Sequence, residues 1–180
     1  LELIADIDGT VSRTANKISV EEIFTVREDV DYSTGNISFV GSVEVLGGVL
    51  SGFKVEAEAD IMINGIVEGA ELHAGGNVIL NRGVQGVDKA VIDAKGRIEA
   101  KFINNATLEA GEDIRIWGPV MHSNLTARKA VQLFGRNGVI SGGSTRASEF
   151  VEAENIGSDL GVATNIEVGV DPKIAERFQE

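Results

Sequence analysis

Cysteine is absent from the 180 residues, so neither disulfides nor thiolate metal sites can form, and the chain suits a reducing compartment. No apolar run approaches the roughly 18 residues that span a bilayer, and no basic-then-apolar leader opens the sequence. Positive charge is also short: 16 Lys and Arg face 28 Asp and Glu, a formal charge of -12. The deficit lies at the ends. Residues 1–36 carry 8 acids and 3 bases, residues 149–180 carry 8 and 2, and residues 37–148 carry 12 and 11. Such ends repel a phosphate backbone or an anionic membrane, so neither nucleic-acid binding nor membrane insertion is expected. They also oppose end-to-end stacking of copies. Proline, at 2, and aromatics, at 5%, are scarce, whereas glycine reaches 22 and the apolar fraction of 43% is too large for a disordered chain.

What is present is a period. Alanine returns at 57, 74, 94, 110, 127, 147 and 163, in steps of 17, 20, 16, 17, 20 and 16 residues. Two places before the Ala stands an apolar residue (Val55, Leu72, Ile92, Leu108, Leu125), with Thr145 as a polar stand-in. After it comes an apolar pair with one residue between, such as Ile61 and Ile63, Val78 and Leu80, Ile98 and Ala100, Ile114 and Ile116, or Val131 and Leu133; Ile166 and Val168 read as the last such pair, one residue early. A fixed period with two short strands of alternating pattern per copy predicts a parallel β-helix, strand stacked on strand.

The reading divides the chain into an N-terminal β cap over 1–36, a coil of about seven turns over 37–169, and the start of a C-terminal helix over 170–180, where Asp171-Pro172 matches an N-cap followed by proline and Ile174 and Phe178 share a face. A chain that starts at Leu1 without Met and stops just after a helix-start signal reads as a piece of something longer. Alternation sends the Ala column and a second small column (Ala70, Ala90, Ala106, Ser123, Gly143) inward. Gly75-Gly76, Gly96 and Gly111 are expected at corners with positive φ. The surplus of the two longer copies falls in glycine-rich segments, 81–89 and 134–144, expected to bulge out as loops. Stacking would set Arg97 against Asp113 and Glu99 against Arg115, two opposite-charge pairs between consecutive turns.

Chemistry is thinly represented. The outward column before the Ala reads Glu56, His73, Asp93, Glu109, Thr126, Arg146, and neighbouring turns would bring His73 near two carboxylates that could share a cation. A solvated charge ladder is the plainer alternative. His122 lies outside that column, so a paired-His site is not expected, and no nucleophile motif or helix-opening phosphate loop is present. No catalytic, cofactor or metal residue is therefore assigned. The candidate partner contacts are Arg82, Lys89, Phe134 and Arg136 on the two glycine-rich segments, bases with an aromatic that suit an acidic protein surface. Their plainer role is to solubilise the loops.

Four stretches carry a resemblance: DVDYSTGNISFVGSVEVLGGVLSGFKVEAEADIMINGIVEGAELHAGGNV (29–78), KFINNATLEAGEDI (101–114), MHSNLTARK (121–129) and ENIGSDLGVATNIEVG (154–169). Together they resemble the flagellar assembly protein A family, most specifically at DYSTGN and HSN. The resemblance implies a right-handed β-helix, a bacterial cytoplasmic protein acting at the cell pole in flagellar assembly or polar flagellation, and a helical coiled-coil region beyond the coil that could support a homo-oligomer. It also implies a protein partner, in some members the glucose-specific enzyme IIA of the phosphotransferase system. The expectation is a non-enzymatic scaffold or regulatory protein-binding module. Alternatives are a septum-site-type cell-division inhibitor, whose β-helix is shorter and lacks the DYSTGN stretch, a bactofilin-like polymerising rod, which the acidic ends disfavour, and a polysaccharide-active enzyme.

Overall fold

A computed structural model describes residues 10–14, 17–159 and 161–169, and within them the chain is all β with no helix. The helix start expected at Asp171, Pro172, Ile174 and Phe178 lies outside the described residues. Thr10–Thr14 and Lys17–Glu21 form an antiparallel pair. From Ile23 onward every pairing is parallel, so the coil begins ahead of Ile37, where its repeat first becomes readable.

One sheet stacks eight strands: Ile23–Val26, Ser42–Val45, Ile61–Ile63, Val78–Leu80, Ile98–Ala100, Ile114–Ile116, Ala130–Leu133 and Phe150–Glu152. Each is one lap, giving eight laps where the alanine spacing suggests about seven. The second sheet stacks the Ala-bearing strands, from Ile37–Phe39 through Lys54–Ala57, Glu71–Ala74, Gly83–Ala94, Ile103–Ala110 and Val120–Ala127 to Val139–Ala147, which pairs with Thr164–Val168. Parallel strands cannot be joined by a tight hairpin, so each lap must travel around the core before it returns beside itself about 4.8 Å away.

Each lap holds three strand segments, one more than the alternation pattern suggests. The extra segment carries a single inward residue, and these form the file Val30, Val49, Val67, Val84, Ile103, Val120, Ile140, each no more than 1% exposed. A left-handed residue turns the chain into the next segment: Asn105 at φ 51°, His122 at φ 47° and Gly142 at φ 78° follow one another in register. Asn and His are among the few side chains that tolerate this region, which gives His122 a backbone role.

The alanine file is Ala57, Ala74, Ala94, Ala110, Ala127 and Ala147, with Phe39 before it and Val168 after it. Ala163 is not in it. The last lap is lengthened by a loop with positive φ at Gly157 and Gly161, so Ile166 and Val168 land opposite Thr145 and Ala147 rather than on the other sheet. The small column holds through Ser123: Ala70, Ala90, Ala106 and Ser123 are buried, whereas Gly143, in register after Ser123, is half-buried at φ 85°; the Ser123 hydroxyl donates to the Met121 carbonyl at 2.6 Å while accepting from the Ala106 amide at 3.2 Å. A buried hydroxyl so bonded costs little.

Gly75, Gly76, Gly96 and Gly111 do not have the positive φ expected of them. Their reason is close approach: a Cβ on Gly75 or Gly111 would collide with the carbonyl oxygen of Glu58 or Lys95 on the preceding lap. Corner amides are satisfied by side chains one lap back, the Asp60 carboxylate accepting from Asn77 N at 2.6 Å and the Asn77 side-chain oxygen accepting from Arg97 N at 3.1 Å. The two insertions differ from the expected loops as well. Residues 81–89 run into the strand Gly83–Ala94, whose surplus is a bulge between Gln85 and Ala90, and in 134–144 the surplus is a turn before the strand Val139–Ala147. A bulge absorbs extra residues without breaking the ladder on either side.

Thr145 occupies the inward position that Leu125 fills in the lap before and Ile166 in the lap after, and its fully buried hydroxyl has no hydrogen-bond partner. An unsatisfied buried hydroxyl costs about 1–3 kcal/mol. Thr145→Val should therefore raise stability by about 1 kcal/mol, and a thermal melt that fell would show that the hydroxyl finds a partner after all.

Candidate functional site

The outward column is assembled as the spacing requires, Glu56, His73, Asp93, Glu109, Thr126 and Arg146 lying in register on consecutive laps. Glu56, His73, Asp93 and Lys95 line an open cleft of about 500 Å³ with Phe39 and Val40 at its rim. Two of its three carboxylates, Glu56 and Asp93, are already engaged, and Glu58 is not. Lys54 meets Glu56 at 2.7 Å and Lys95 meets Asp93 at 3.1 Å, whereas His73 stands 3.9 Å from both Asp93 and Glu71. The hydrogen bond from Lys54 holds the Glu56 carboxyl below its usual range, and the same bond raises Lys54. No group of three or more acids, histidines or cysteines is placed to hold a metal ion among the described residues.

The charge columns behave similarly. Glu99 lies opposite Arg115 in register, but the ion pairs close along each strand, Arg97 to Glu99 at 2.8 Å and Arg115 to Asp113 at 3.2 Å. Residues two apart on a strand share a face, and long side chains bridge that distance as readily as the gap between laps. Bridges between laps form instead from Lys129 to Glu112 and from Arg146 to Glu167, both at 3.0 Å.

Of the four expected contact residues, three lie along one edge of the coil. The corner after the eight-stranded sheet carries Asn64, Asn81, Lys101, Trp117 and Phe134 in successive laps, each immediately following a residue of the paired column Ile63, Leu80, Ala100, Ile116 and Leu133. Arg82 adjoins Asn81, and its carbonyl accepts from Lys101 N at 2.9 Å; Arg136 is exposed in the turn that Phe134 opens. Lys89 is elsewhere, in the bulge of Gly83–Ala94, with a side chain outside the described residues. Trp117, which is not among the expected contact residues, is the largest exposed group here. It is the only tryptophan, half its surface faces solvent at 50%, and its ring packs on Phe134 at 5.4 Å between centroids with 30° between planes. A large ring directly after an inward Ile was the available signal, since inward alternation has ended there.

Among the described residues no helix is long and apolar enough to cross a membrane. The family model described as the Flagellar Assembly Protein A beta solenoid domain matches residues 22–180, beginning where the parallel stack begins and leaving out the antiparallel pair. No curated protein and no solved structure matches the chain.

Proposed function

The chain belongs to the flagellar assembly protein A β-solenoid family, and from that premise we propose that it is a non-enzymatic scaffold that binds another protein during flagellar assembly. Membership supports a role related to flagellar assembly. The scaffold reading is carried by one observation, the corner where Trp117, Phe134, Arg82, Lys101 and Arg136 gather on consecutive laps. Exposed aromatics beside arginine are the composition of energetic centres in protein interfaces. A ladder of parallel backbone bonds holds them at fixed spacing, so little ordering entropy is lost when a partner docks.

The cytoplasm, and the cell pole within it, is the proposed location, and a regulatory protein such as a sugar phosphotransferase component is a partner of the proposed class. The test is a flagellated host in which residues 22–169 are removed from the protein in its native context. Loss of flagella or of their polar placement, with the truncated protein still present at normal level, is the expected result. Normal flagellation would contradict the proposal.

A further inference from the structure

Resting on the protein-binding reading, we propose that the Trp117 corner is a docking groove for an acidic segment of a partner that inserts one aromatic or large aliphatic side chain beside the indole. Phe134 covers the ring from the following lap, and toward the preceding laps Trp117 lines a cleft of about 310 Å³ together with Ile79 and Lys101. That volume sits at the low end of small-molecule pockets, which run from about 300 to 1,000 Å³. With no enclosing roof, the cleft suits a single anchoring side chain from a larger partner.

Charge selects the sign of that partner. The chain carries a formal -12, yet Arg82, Lys101 and Arg136 on this edge form no ion pair among the described residues. Of the acids on this edge, Glu99 is held by Arg97 at 2.8 Å and Asp113 by Arg115 at 3.2 Å, while Glu154, exposed one lap beyond Phe134, forms no ion pair among the described residues, so three cations face one unengaged carboxylate. An acidic segment would meet three unpaired cations here and repulsion from the acid-rich end segments, so attraction and rejection both direct it to this edge. A basic segment would meet the reverse.

Because Trp117 is the sole tryptophan of the 180 residues, emission excited beyond the absorption band of Tyr32 reports on this corner alone. Three short synthetic peptides serve as probes: one rich in Asp and Glu with a central Phe, the same peptide with Ser for Phe, and the same with Lys for every acid. The first should shift Trp117 emission to shorter wavelength in a saturable titration that weakens with added salt. The Ser peptide should bind about tenfold more weakly, and so should the first peptide to the Lys101→Glu, Arg136→Glu double variant. Both substitutions are on exposed positions, and an unchanged thermal melt establishes that the variant is folded. Equal binding of the Lys peptide, or an emission unmoved by the acidic Phe peptide, would overturn the groove. If that occurred while removal of residues 22–169 still abolished flagellation, the scaffold reading would stand and the docking surface would lie elsewhere.

Discussion

Ile114→Ala should lower the unfolding free energy by about 2–5 kcal/mol, the range seen when a large core residue is truncated and the cavity persists. Ile114 is fully buried in the file Val43, Ile61, Val78, Ile98, Ile114, Val131, with a lap on either side. Collapse around the missing atoms is resisted, because the neighbouring strands are held at their spacing by backbone hydrogen bonds that would have to stretch. In a stacked repeat, stability is a sum of lap terms and contacts between adjacent laps, and this substitution weakens a lap and both of its contacts. Urea unfolding measures the effect as a fall in the midpoint at constant slope. A loss below about 1 kcal/mol would mean that the site is not enclosed as described.

Ala110→Leu should destabilise by about 1–3 kcal/mol through overpacking, the opposite defect in the adjoining file. Six consecutive laps place a methyl at this inward position, and the residues that differ, Phe39 and Val168, stand at the two ends of the file. Among the described residues the end strands of this sheet have a neighbour on one side only, so a larger group can lean outward; Ala110, at 3% exposure, has no such exit. Val168, at 48%, supplies the control, and Val168→Ala should cost about 1 kcal/mol or less because only about half of its surface leaves water on folding. Thermal melts of the two variants side by side decide the point. An unchanged melt for Ala110→Leu would mean that the file does not face a filled interior.

Those alanines were legible because a packed interior forces the same small residue at the same station on every lap. The file from Val30 to Ile140 recurs almost as regularly, in steps of 17 to 20 residues, but each member stands alone in its segment with no apolar partner two places away. A single apolar residue shows no period of two, so alternation does not reveal the third segment. Ala163 misled because the last lap is longer than the others, and a count from the preceding alanine stops inside the loop that lengthens it.

The site was legible in part for a related reason. Glycine flanking Arg82, Phe134 and Arg136 marked places where the coil departs from its rule. Lys89, three residues after Gly86 in the same glycine-rich segment as Arg82, lies in a different part of the lap, since a bulge and a turn leave the same trace in composition. Lys101 bears no mark, and Trp117 is marked only by its size directly after inward Ile116 and by Gly118, outside either glycine-rich insertion. What joins them to Phe134 is register, and register between laps depends on how many residues each corner consumes.

Register is therefore what the account most depends on, and the absence of native cysteine makes it directly measurable. Glu99→Cys with Arg115→Cys places two thiols on facing positions of adjacent laps, about 4.8 Å apart along the stack, within the Cα separation a disulfide requires. Glu99→Cys with Gln132→Cys places them two laps apart, about 9.6 Å, which is too far. Under mild oxidation of the folded chain, the first pair should form an intramolecular disulfide in high yield and the second should remain reduced. Equal yields, or cross-linking of the second pair in preference to the first, would contradict the stacked register and with it the corner that brings Trp117, Lys101 and Phe134 together.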